Sequence, residues 1–353
     1  MSQSNPKILV INPGSTTTKI AVFEGDKEIF VEKITHTLSN LPKNEFINTQ
    51  ADFRKLLIQK TLKNQNVLLQ DINLIMCRGG LLKPVASGVY EVNEQMLDDL
   101  KNAKKQHASN LAAIIGYRLS GGKIPVYIAD PVVVDEMQEI ARYAGHRDFE
   151  RISIFHALNH KAVARRYAQS IDKKYEDLNL IVAHMGGGIS VAAHKNGKVI
   201  DVNQALDGEG PFSPERSGTL PVGELIRKAF SGNYTQAEMH KMIVGNGGVI
   251  SYLGTNNMQE IEANLTAEKR EVLVAMAYQI AKIIGEMATV LKGEVNAVIL
   301  TGGVAHSKLI TDEIVSAVSF IAPVIIYAGE DEMHALANNG LLLWHKELEV
   351  KKY

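Results

Sequence analysis

Two segments of the chain share one arrangement of apolar runs and turn residues. In the first, Ile8 to Phe30, the runs ILVI and KIAVF flank NPGSTTT, and the turn EGDK leads to EIF. In the second, Leu180 to Ile200, LIVA and GISVAAH flank HMGG, and KNG leads to KVI. Apolar β-branched runs separated by short glycine-containing turns predict strand, hairpin, strand, tight turn and strand. The repeat therefore predicts two domains of similar topology.

Apolar residues elsewhere recur with the period of a helix. Asn93 is a predicted N-cap for MLDDLKNAKKQ, and NLAAIIGYRL is a second apolar stretch. Thr266 is a predicted N-cap for a long helix through EVLVAMAYQIAKIIGEMATVL, which Gly293 ends. VNAVILTGG predicts a strand, and further helices are predicted from Ser307 and over Met333 to Leu348.

Strands and helices alternate along the chain, so the predicted fold class is α/β. We expect an N-terminal domain over residues 1–150, joined by the C-terminal helix at 333–353. Residues 151–332 are expected to form a C-terminal nucleotide-binding domain. The chain length of 353 residues suits two domains of ordinary size.

The charge balance argues against polyanionic partners. The chain has 38 basic and 39 acidic residues and a net charge of −1, and binding to nucleic acid or an anionic membrane calls for a basic excess. The single cysteine, Cys77, excludes an internal disulfide. We expect a cytoplasmic protein, because the N-terminus lacks signal-peptide features and no apolar run approaches the length of a membrane span.

Two glycine-containing turns are candidate phosphate sites. In INPGSTTTK, Gly14 permits a tight turn, the hydroxyls of residues 15–18 stand beside backbone N–H groups, and Lys19 adds a cation. The Walker A pattern is absent, and a polar hairpin tip is the alternative interpretation. The three glycines of HMGGGIS give no packing, which indicates that another group approaches the backbone closely.

Charged and imidazole side chains follow several of the predicted strands. Arg78 and Arg216 stand in glycine-rich loops, where their forked donors suit carboxylate and phosphate oxygens, although surface ion pairs are the alternative. Asp130 in YIADP is a candidate for Mg²⁺ binding or for placing a nucleophile, or a turn residue before proline. His156 could donate to a phosphoryl oxygen. Its spacing from His160 also suggests a metal pair, but the zincin glutamate is absent.

The chain resembles butyrate kinases, which belong with acetate kinases in the acetokinase family and in the superfamily of actin, hexokinase and heat-shock chaperones. The resemblance is carried in order by INPGSTTTK, CRGG, HASN, IADP, FHALNHK, HMGGGIS, GPFSPERSGTLP, GGVISYLGTNN and ILTGG. It implies two domains of duplicated actin/hexokinase-like topology around a central cleft. It also implies ATP and Mg²⁺ as cofactors and a homodimer.

The family's catalytic roles carry over by matching motifs. The resemblance places Arg78 and Arg216 at the substrate carboxylate and the transferred phosphoryl group. It assigns transition-state stabilisation to His156 and the placement of Mg²⁺ or carboxylate to Asp130. His107 matches a second active-site histidine, on the substrate side.

The nucleotide-binding residues carry over in the same way. The first phosphate hairpin is matched by Asn12, Ser15, Thr16 and Lys19, and Asn12 is also a candidate magnesium ligand. The second is matched by His184, Gly186, Gly187 and Gly188. The adenosine side is matched by Gly302 and Gly303, with Thr255 to Met258 flanking adenine and ribose.

The sequence departs from the acetate kinase pattern at three places. Gly187 stands where those kinases have an asparagine. The family's magnesium-associated glutamate after the late glycine motif is missing from VAHSK, and Glu330 or Glu332 is a candidate replacement. Gly80 stands where acetate kinases have a bulky apolar residue, and this implies room for a longer acyl tail.

The resemblance implies conversion of butanoate and ATP to butanoyl phosphate and ADP, reversibly. Propionate, acetate or a branched acid remain alternatives. A sugar kinase would need a base and hydroxyl-binding carboxylates, against which the paired arginines argue. A non-enzymatic, ATP-gated binding protein would need an added peptide-binding domain, for which 353 residues leave no room.

Overall fold

The computed structural model describes residues 5–36, 46–103 and 107–353. Its strands, numbered along the chain, are β1 (Lys7–Pro13), β2 (Thr17–Glu24), β3 (Lys27–Thr35), β4 (Leu74–Arg78), β5 (Val89–Glu91), β6 (Val126–Ala129), β7 (Leu180–Met185), β8 (Ile189–Lys195), β9 (Lys198–Val202), β10 (Ala297–Gly302), β11 (Val324–Ala328) and β12 (Val350–Lys351). Its α-helices are α1 (Phe46–Asn64), α2 (Glu94–Lys101), α3 (Asn110–Ser120), α4 (Ala157–Ser170), α5 (Val222–Ala229), α6 (Gln236–Ile243), α7 (Val249–Leu253), α8 (Met258–Ala263), α9 (Ala267–Val290), α10 (Lys308–Val318) and α11 (Glu332–Trp344).

The chain divides into two compact units. Unit 1 comprises Met1–Val134 and Asp331–Tyr353, and unit 2 comprises Asp135–Glu330. Residues 135–150 thus belong to unit 2, and residues 331 and 332 belong to unit 1, whereas the expected domain limits were 150 and 332. The C-terminal helix α11 lies in unit 1.

Unit 1 is built on a mixed sheet with the strand order β12-β5-β6-β4-β1-β2-β3. The strands β1, β2 and β3 are antiparallel, and β4 and β6 continue the sheet in parallel. Residues such as Leu9, Ile11 and Ile75 belong to an apolar core with side chains of α1 and α3. The helix α11 contacts β1 and β4.

Unit 2 repeats this plan with the strand order β11-β10-β7-β8-β9. Again three antiparallel strands, β7 to β9, are continued by two parallel strands, β10 and β11. Ile181 and Ala183 pack in one core with α9 and α10, while Leu180 and Val182 pack in another with α4. Both faces are covered because side chains alternate along a strand, and parallel central strands need helices on both sides.

The predicted internal repeat is confirmed. In both units three antiparallel strands are followed by one or more helices, a parallel strand, at least one further helix and a final parallel strand. Additional elements interrupt this order, among them β5 and α2 in unit 1 and α5 to α8 in unit 2. The predicted caps are also present: Asn93 accepts from the Met96 N–H, and Thr266 accepts from the Lys269 N–H. α2 ends at Lys101, and residues 104–106 of the longer predicted helix lie outside the described residues.

One helix in the described ranges, α9, is long and apolar enough to cross a membrane. Its inner face, with Leu273, Ile280 and Ile284, is buried in the core of unit 2. Lys282 and Glu286 interrupt its apolar residues. A long core helix meets the same length and composition criteria as a membrane span, so α9 is explained by its packing.

Gly116 allows α3 to lie close to the sheet of unit 1. A Cβ at this position would lie 2.6 Å from Cys77 Sγ and 3.0 Å from Val126 Cγ1. We expect Gly116→Ala to lower the free energy of unfolding by about 1–3 kcal/mol through overpacking. Gly285→Ala is the control, because no atom lies within 4 Å of its Cβ position and alanine favours a helix by up to about 1 kcal/mol. Urea denaturation measures both, and an undiminished midpoint for Gly116→Ala would contradict the packing.

Candidate active site

The first candidate phosphate hairpin is the turn between β1 and β2 in unit 1. The Gly14 N–H donates to Thr17 O at 2.8 Å and closes the turn. Ser15 and Thr16 are exposed at its tip, and the exposed Lys19 pairs with Asn12 across the strands. Hydroxyl and backbone donors in an exposed turn suit the oxygens of a phosphate.

Arg54, on α1, packs against this turn and is 1% exposed. Its guanidinium donates to three backbone carbonyls of the turn, those of Gly14, Ser15 and Thr17, at 2.9, 3.1 and 2.8 Å. No carboxylate pairs with Arg54 in the described chain, and burial lowers the pKa of its guanidinium to about 10. Arg54 therefore orients the turn and adds positive charge that favours an anion.

The His36 ring shares the interior of the turn with Arg54. It lies 2.7 Å from Thr18 Oγ1, which also accepts from Arg54 Nη1 at 3.0 Å. Burial, followed by the charge of Arg54, lowers the pKa of His36 to about 4. A neutral His36 therefore places no second positive charge beside the guanidinium.

A second polar group of unit 1 joins Arg78, Asn12 and Glu332. Arg78 Nη1 donates to Glu332 Oε2 at 3.1 Å and to Asn12 Oδ1 at 3.4 Å. Asn12 Nδ2 donates to the same Glu332 oxygen at 2.5 Å. The sequence offered Glu330 and Glu332 as replacements for the missing magnesium-associated glutamate. Glu332 is the one that contacts Asn12, a candidate magnesium ligand, while Glu330 lies in unit 2. Amide and carboxylate oxygens are the ligands that Mg²⁺ prefers.

Asp130 and His107, the other candidates of unit 1, both bond to nearby backbone. Asp130 is 2% exposed, with a φ of 40° in the left-handed region. Its Oδ1 accepts from the Gly88 N–H at 2.7 Å, and its N–H donates to Gly88 O at 3.0 Å. His107 Nδ1 accepts from the Ser109 N–H at 3.2 Å, just before α3. The proton of a neutral His107 ring therefore belongs on Nε2.

The glycine pair after Arg78 is required by packing. A Cβ on Gly79 would lie 2.3 Å from Pro131 Cβ. A Cβ on Gly80 would lie 2.7 Å from Leu100 Cδ2 and 2.8 Å from Asn110 Cα. Protein atoms thus fill the Cβ direction of Gly80, and room for an acyl tail beside this glycine stays a prediction.

The second candidate hairpin, residues 186–188, joins β7 and β8 in unit 2. A Cβ on Gly187 would lie 2.9 Å from Glu215 Oε1, and one on Gly188 would lie 1.7 Å from Arg216 Nη1. The glycines therefore admit two charged side chains against the backbone of the turn. The sequence correctly indicated close approach at these glycines, and the structure shows protein side chains in that role.

Arg216 is a half-buried cation that forms no ion pair with a carboxylate in the described residues. Its Nη1 donates to Ala205 O at 2.7 Å, while its buried Nε has no hydrogen-bond partner. Burial lowers the pKa of the guanidinium, and the charges of Glu215 and Asp207 partly oppose this shift. Removing a cation partly from water is costly, and an anion bound at this guanidinium would offset the cost.

His156 and His184 lie against each other in unit 2. Their rings stack with centroids 3.8 Å apart and planes inclined by 16°. His184 Nδ1 lies 2.8 Å from Asn159 Oδ1, an atom that only accepts, so His184 donates from Nδ1. Glu330 Oε1 lies 3.0 Å from His184 Nε2. The structure therefore brings together two of the predicted histidines and the other candidate glutamate.

The predicted adenosine-side residues also lie in unit 2. Gly302 ends β10 with a φ of 90°, and a Cβ there would lie 2.3 Å from Met185 O. Gly303 has no atom within 4 Å of its Cβ position. Within Thr255 to Met258, Asn256 Nδ2 donates to Glu215 Oε2 at 3.2 Å.

Arg54 and Glu215 were missed by sequence reasoning. Arg54 stands in a helix near Lys55 and Lys60, and its spacing from the buried Ala51 and Ile58 was the available signal. Glu215 directly precedes Arg216 in the loop GPFSPERSGTLP, so this adjacency was a usable signal.

Known proteins resemble the chain over nearly its whole length. The model of the acetokinase family matches residues 140–325. Butyrate kinase 2 of Clostridium acetobutylicum is 54% identical over 352 residues, covering 98% of this chain and 99% of that protein. The chain belongs to the acetokinase family. Butyrate kinase 1 of the same organism is 51% identical, with the same coverage of both chains.

The fold of this acetokinase-family chain is also found in a solved structure. The acetate kinase of Porphyromonas gingivalis superimposes with a TM-score of 0.80 at 18% identity, covering 96% of this chain and 100% of that one. At this identity the likeness shows the fold alone, and the predicted α/β, duplicated actin/hexokinase-like topology is confirmed.

Removal of the Arg54 guanidinium tests its role in the first hairpin. Arg54→Met would remove a buried guanidinium that donates to three partly buried carbonyls, so we expect the free energy of unfolding to fall by about 3 kcal/mol. Arg270→Met is the control, because Arg270 forms an exposed ion pair with Glu313 and such pairs contribute about 1 kcal/mol or less. Equal losses in the two variants, measured by urea denaturation, would contradict the role of Arg54.

Proposed function

We propose that this protein transfers the γ-phosphoryl group of ATP to the carboxylate of a short-chain fatty acid, forming an acyl phosphate and ADP reversibly. The observation that carries the proposal is Arg216, a half-buried guanidinium against a turn of three glycines, whose buried Nε has no hydrogen-bond partner among the described residues. Such a group binds carboxylate and phosphoryl oxygens through its fork of donors. The relatives at 54% and 51% identity are butyrate kinases, so butanoate is the proposed acid.

The two hairpins supply the proposed phosphate contacts. In unit 1, the turn at Ser15 and Thr16 offers donors, with Asn12 and Lys19 on the flanking strands. In unit 2, the contacts are assigned to the turn at 186–188 and to His184, with Gly302 and Gly303 toward the adenosine. Turns rich in backbone N–H groups bind phosphate without a Walker A motif.

Asn12 and Glu332 are the proposed magnesium residues. Asn12 Oδ1 and the Glu332 carboxylate supply oxygen atoms of the kind that Mg²⁺ binds, and the ion usually completes its shell with water and phosphate oxygens. Glu332 thereby takes the place of the family glutamate that is absent after the late glycine motif. Asp130 is a further candidate, although its Oδ1 already accepts from Gly88. The ion would supply positive charge that neutralises the phosphate oxygens.

The proposed chemistry needs positioning and positive charge more than proton transfer. A carboxylate is already ionised at neutral pH, so no general base is required to activate it. Arg78 is assigned to the acid and Arg216 to the transferred phosphoryl group, whose oxygens gain charge in the transition state. His156 is assigned a hydrogen bond to one of those oxygens, and His107 a place on the substrate side.

Other acids and other classes of function make different predictions. Acetate, propionate and branched acids fit the same site chemistry, and relative kcat/KM values for these acids distinguish them. A sugar kinase would need a carboxylate base at the acceptor, whereas the groups gathered here are arginines. A non-enzymatic ATP-binding protein would form no acyl phosphate.

A homodimer and a cytoplasmic location complete the proposal. Three aromatic side chains of unit 2, Tyr143, Phe149 and Phe230, are 82%, 70% and 88% exposed. Exposed large apolar residues support a contact with another chain, and light scattering would measure the assembly. The cytoplasm supplies ATP and suits the single cysteine.

Arg216→Ala tests the proposed function. We expect at least about a hundredfold loss of kcat for butanoyl hydroxamate formation from butanoate, ATP, Mg²⁺ and hydroxylamine, because the charge that stabilises the transition state is lost. Arg216→Lys keeps the charge but loses the fork, so we expect a smaller loss.

The matched control is Arg227→Ala. Arg227 is 69% exposed and pairs with Glu224 on the same unit. We therefore expect the turnover of the Arg227→Ala variant to match that of the wild type. Near-normal turnover of a folded Arg216→Ala variant would contradict the assignment. A wild-type protein that forms no hydroxamate with acids of two to five carbons would contradict the enzyme itself.

A further inference from the structure

A continuous chain of hydrogen-bonded side chains ends at His156. It is formed by Tyr175, His194, His160, Ser190 and His156, all in unit 2. Tyr175 Oη lies 2.7 Å from His194 Nδ1, and His194 Nε2 lies 3.2 Å from His160 Nδ1. Ser190 Oγ lies 2.8 Å from His160 Nε2 and 2.9 Å from His156 Nδ1. His194 and His160 thus each use one ring nitrogen toward the preceding group of the chain and the other nitrogen toward the next group.

The interior of this chain is shielded from water. His160, His194 and Ser190 are 0% exposed, and Tyr175 is 4% exposed. His160 lies on α4, while Ser190 and His194 lie on β8, so regular secondary structure holds these members in place. Only His156, at the start of α4, is partly exposed.

The two interior histidines are neutral. Burial lowers the pKa of His160 well below its ordinary value, and repulsion from protonated forms of His194 and His184 would lower it further. Burial, and then the charge of Lys161, lower the pKa of His194 in the same direction. A neutral imidazole has one donor and one acceptor nitrogen. The direction of the first hydrogen bond therefore determines the direction of the next two, as far as Ser190. A Ser190 hydroxyl that accepts from His160 has its own proton to donate to His156.

Tyr175 determines that direction. A phenol is a strong donor to an imidazole nitrogen, and the 2.7 Å separation is typical of an O–H donor and short for an N–H donor. If Tyr175 donates to His194 Nδ1, then His194 donates from Nε2 to His160, and His160 donates from Nε2 to Ser190. The Ser190 hydroxyl then donates to His156 Nδ1, and the proton of the His156 ring belongs on Nε2.

We propose that Tyr175, His194, His160 and Ser190 are positioning residues that hold His156 as its Nε2–H tautomer, with that N–H as a hydrogen-bond donor. The identity of the acceptor, a phosphoryl oxygen, rests on the proposed function. A side chain held in the wrong tautomer presents a lone pair to an anion, which is repulsive. If the tautomer is fixed before the anion binds, the repulsive form is not populated. The N–H donor is then preorganised for the charge that develops in the transition state.

The stacked neighbour supplies an internal reference. His184 donates from Nδ1 to Asn159 Oδ1, so it carries a proton on the nitrogen that is unprotonated in His156. Two rings 3.8 Å apart are therefore expected to differ in protonation at Nδ1. A general structural role for these histidines does not require this difference.

Nitrogen-15 NMR of the full-length protein, labelled at histidine, tests the proposal. Long-range proton–nitrogen correlations distinguish the two tautomers, and His156→Asn, His160→Asn and His194→Asn identify the signals. We expect a proton on Nε2 alone for His156, His160 and His194, and a proton on Nδ1 for His184. A proton on Nδ1 of His156 in the wild type would overturn the proposal.

Two variants connect the tautomer to turnover. Tyr175→Phe removes the donor that sets the direction, and Ser190→Ala removes the last link. Each is expected to populate the Nδ1–H form of His156 and to lower kcat about tenfold, with KM for ATP within about twofold, because a wrong histidine tautomer impairs catalysis while binding persists. Tyr167→Phe is the control, since Tyr167 packs against the same apolar cluster outside the hydrogen-bond chain.

The outcomes separate this proposal from the proposed function. An unchanged His156 tautomer in both variants would overturn the role of the chain, whatever the turnover. Nε2–H at His156 in a wild-type protein that phosphorylates no acid would support the hydrogen-bond chain and would reject the proposed function alone.

Discussion

The candidate site in unit 1 depends on one set of hydrogen bonds. The buried guanidinium of Arg54 donates to backbone carbonyls of the first hairpin turn. A β-hairpin that exposes N–H groups to a ligand leaves carbonyls facing inward, and buried carbonyls need donors. Arg54 supplies them in unit 1 through bonds of 2.8–3.1 Å to three carbonyls. In unit 2, Arg216 packs against Gly188 and donates to Ala205 O. An arginine thus packs against each hairpin turn, and in unit 1 it also donates to the carbonyls of the turn.

This arrangement explains how a chain of net charge −1 could bind highly charged anions. The attraction is local, because the positive charge is placed where water is excluded and the effective dielectric constant is low. Burial also keeps nearby imidazoles neutral, as the lowered pKa of His36 and of His160 indicates. Neutral histidines act as directed hydrogen-bond groups, so the site separates fixed charge on arginine from oriented donors on histidine.

The local features of the fold were predictable from the sequence, and the long-range ones were not. The hairpins follow from β-branched runs and short turns, and the helix starts follow from caps such as Asn93 and Thr266. Arg54, Glu332 and Ser190 act on residues distant in the chain, and local patterns do not record such contacts. Gly80 is an example. The sequence shows that position 80 has no side chain, but it does not show that Leu100 and Asn110 lie beside it.

The central claim is that a carboxylate oxygen of the acid attacks the γ-phosphorus of ATP. Oxygen-18 in the carboxylate of butanoate tests it directly. Hydroxylamine cleaves an acyl phosphate at the acyl carbon, so the bridging oxygen leaves with the phosphate. We predict that inorganic phosphate recovered from the protein with ATP, Mg²⁺, labelled butanoate and hydroxylamine carries one oxygen-18 atom. Unlabelled phosphate would mean that water accepts the phosphoryl group, and it would contradict the account.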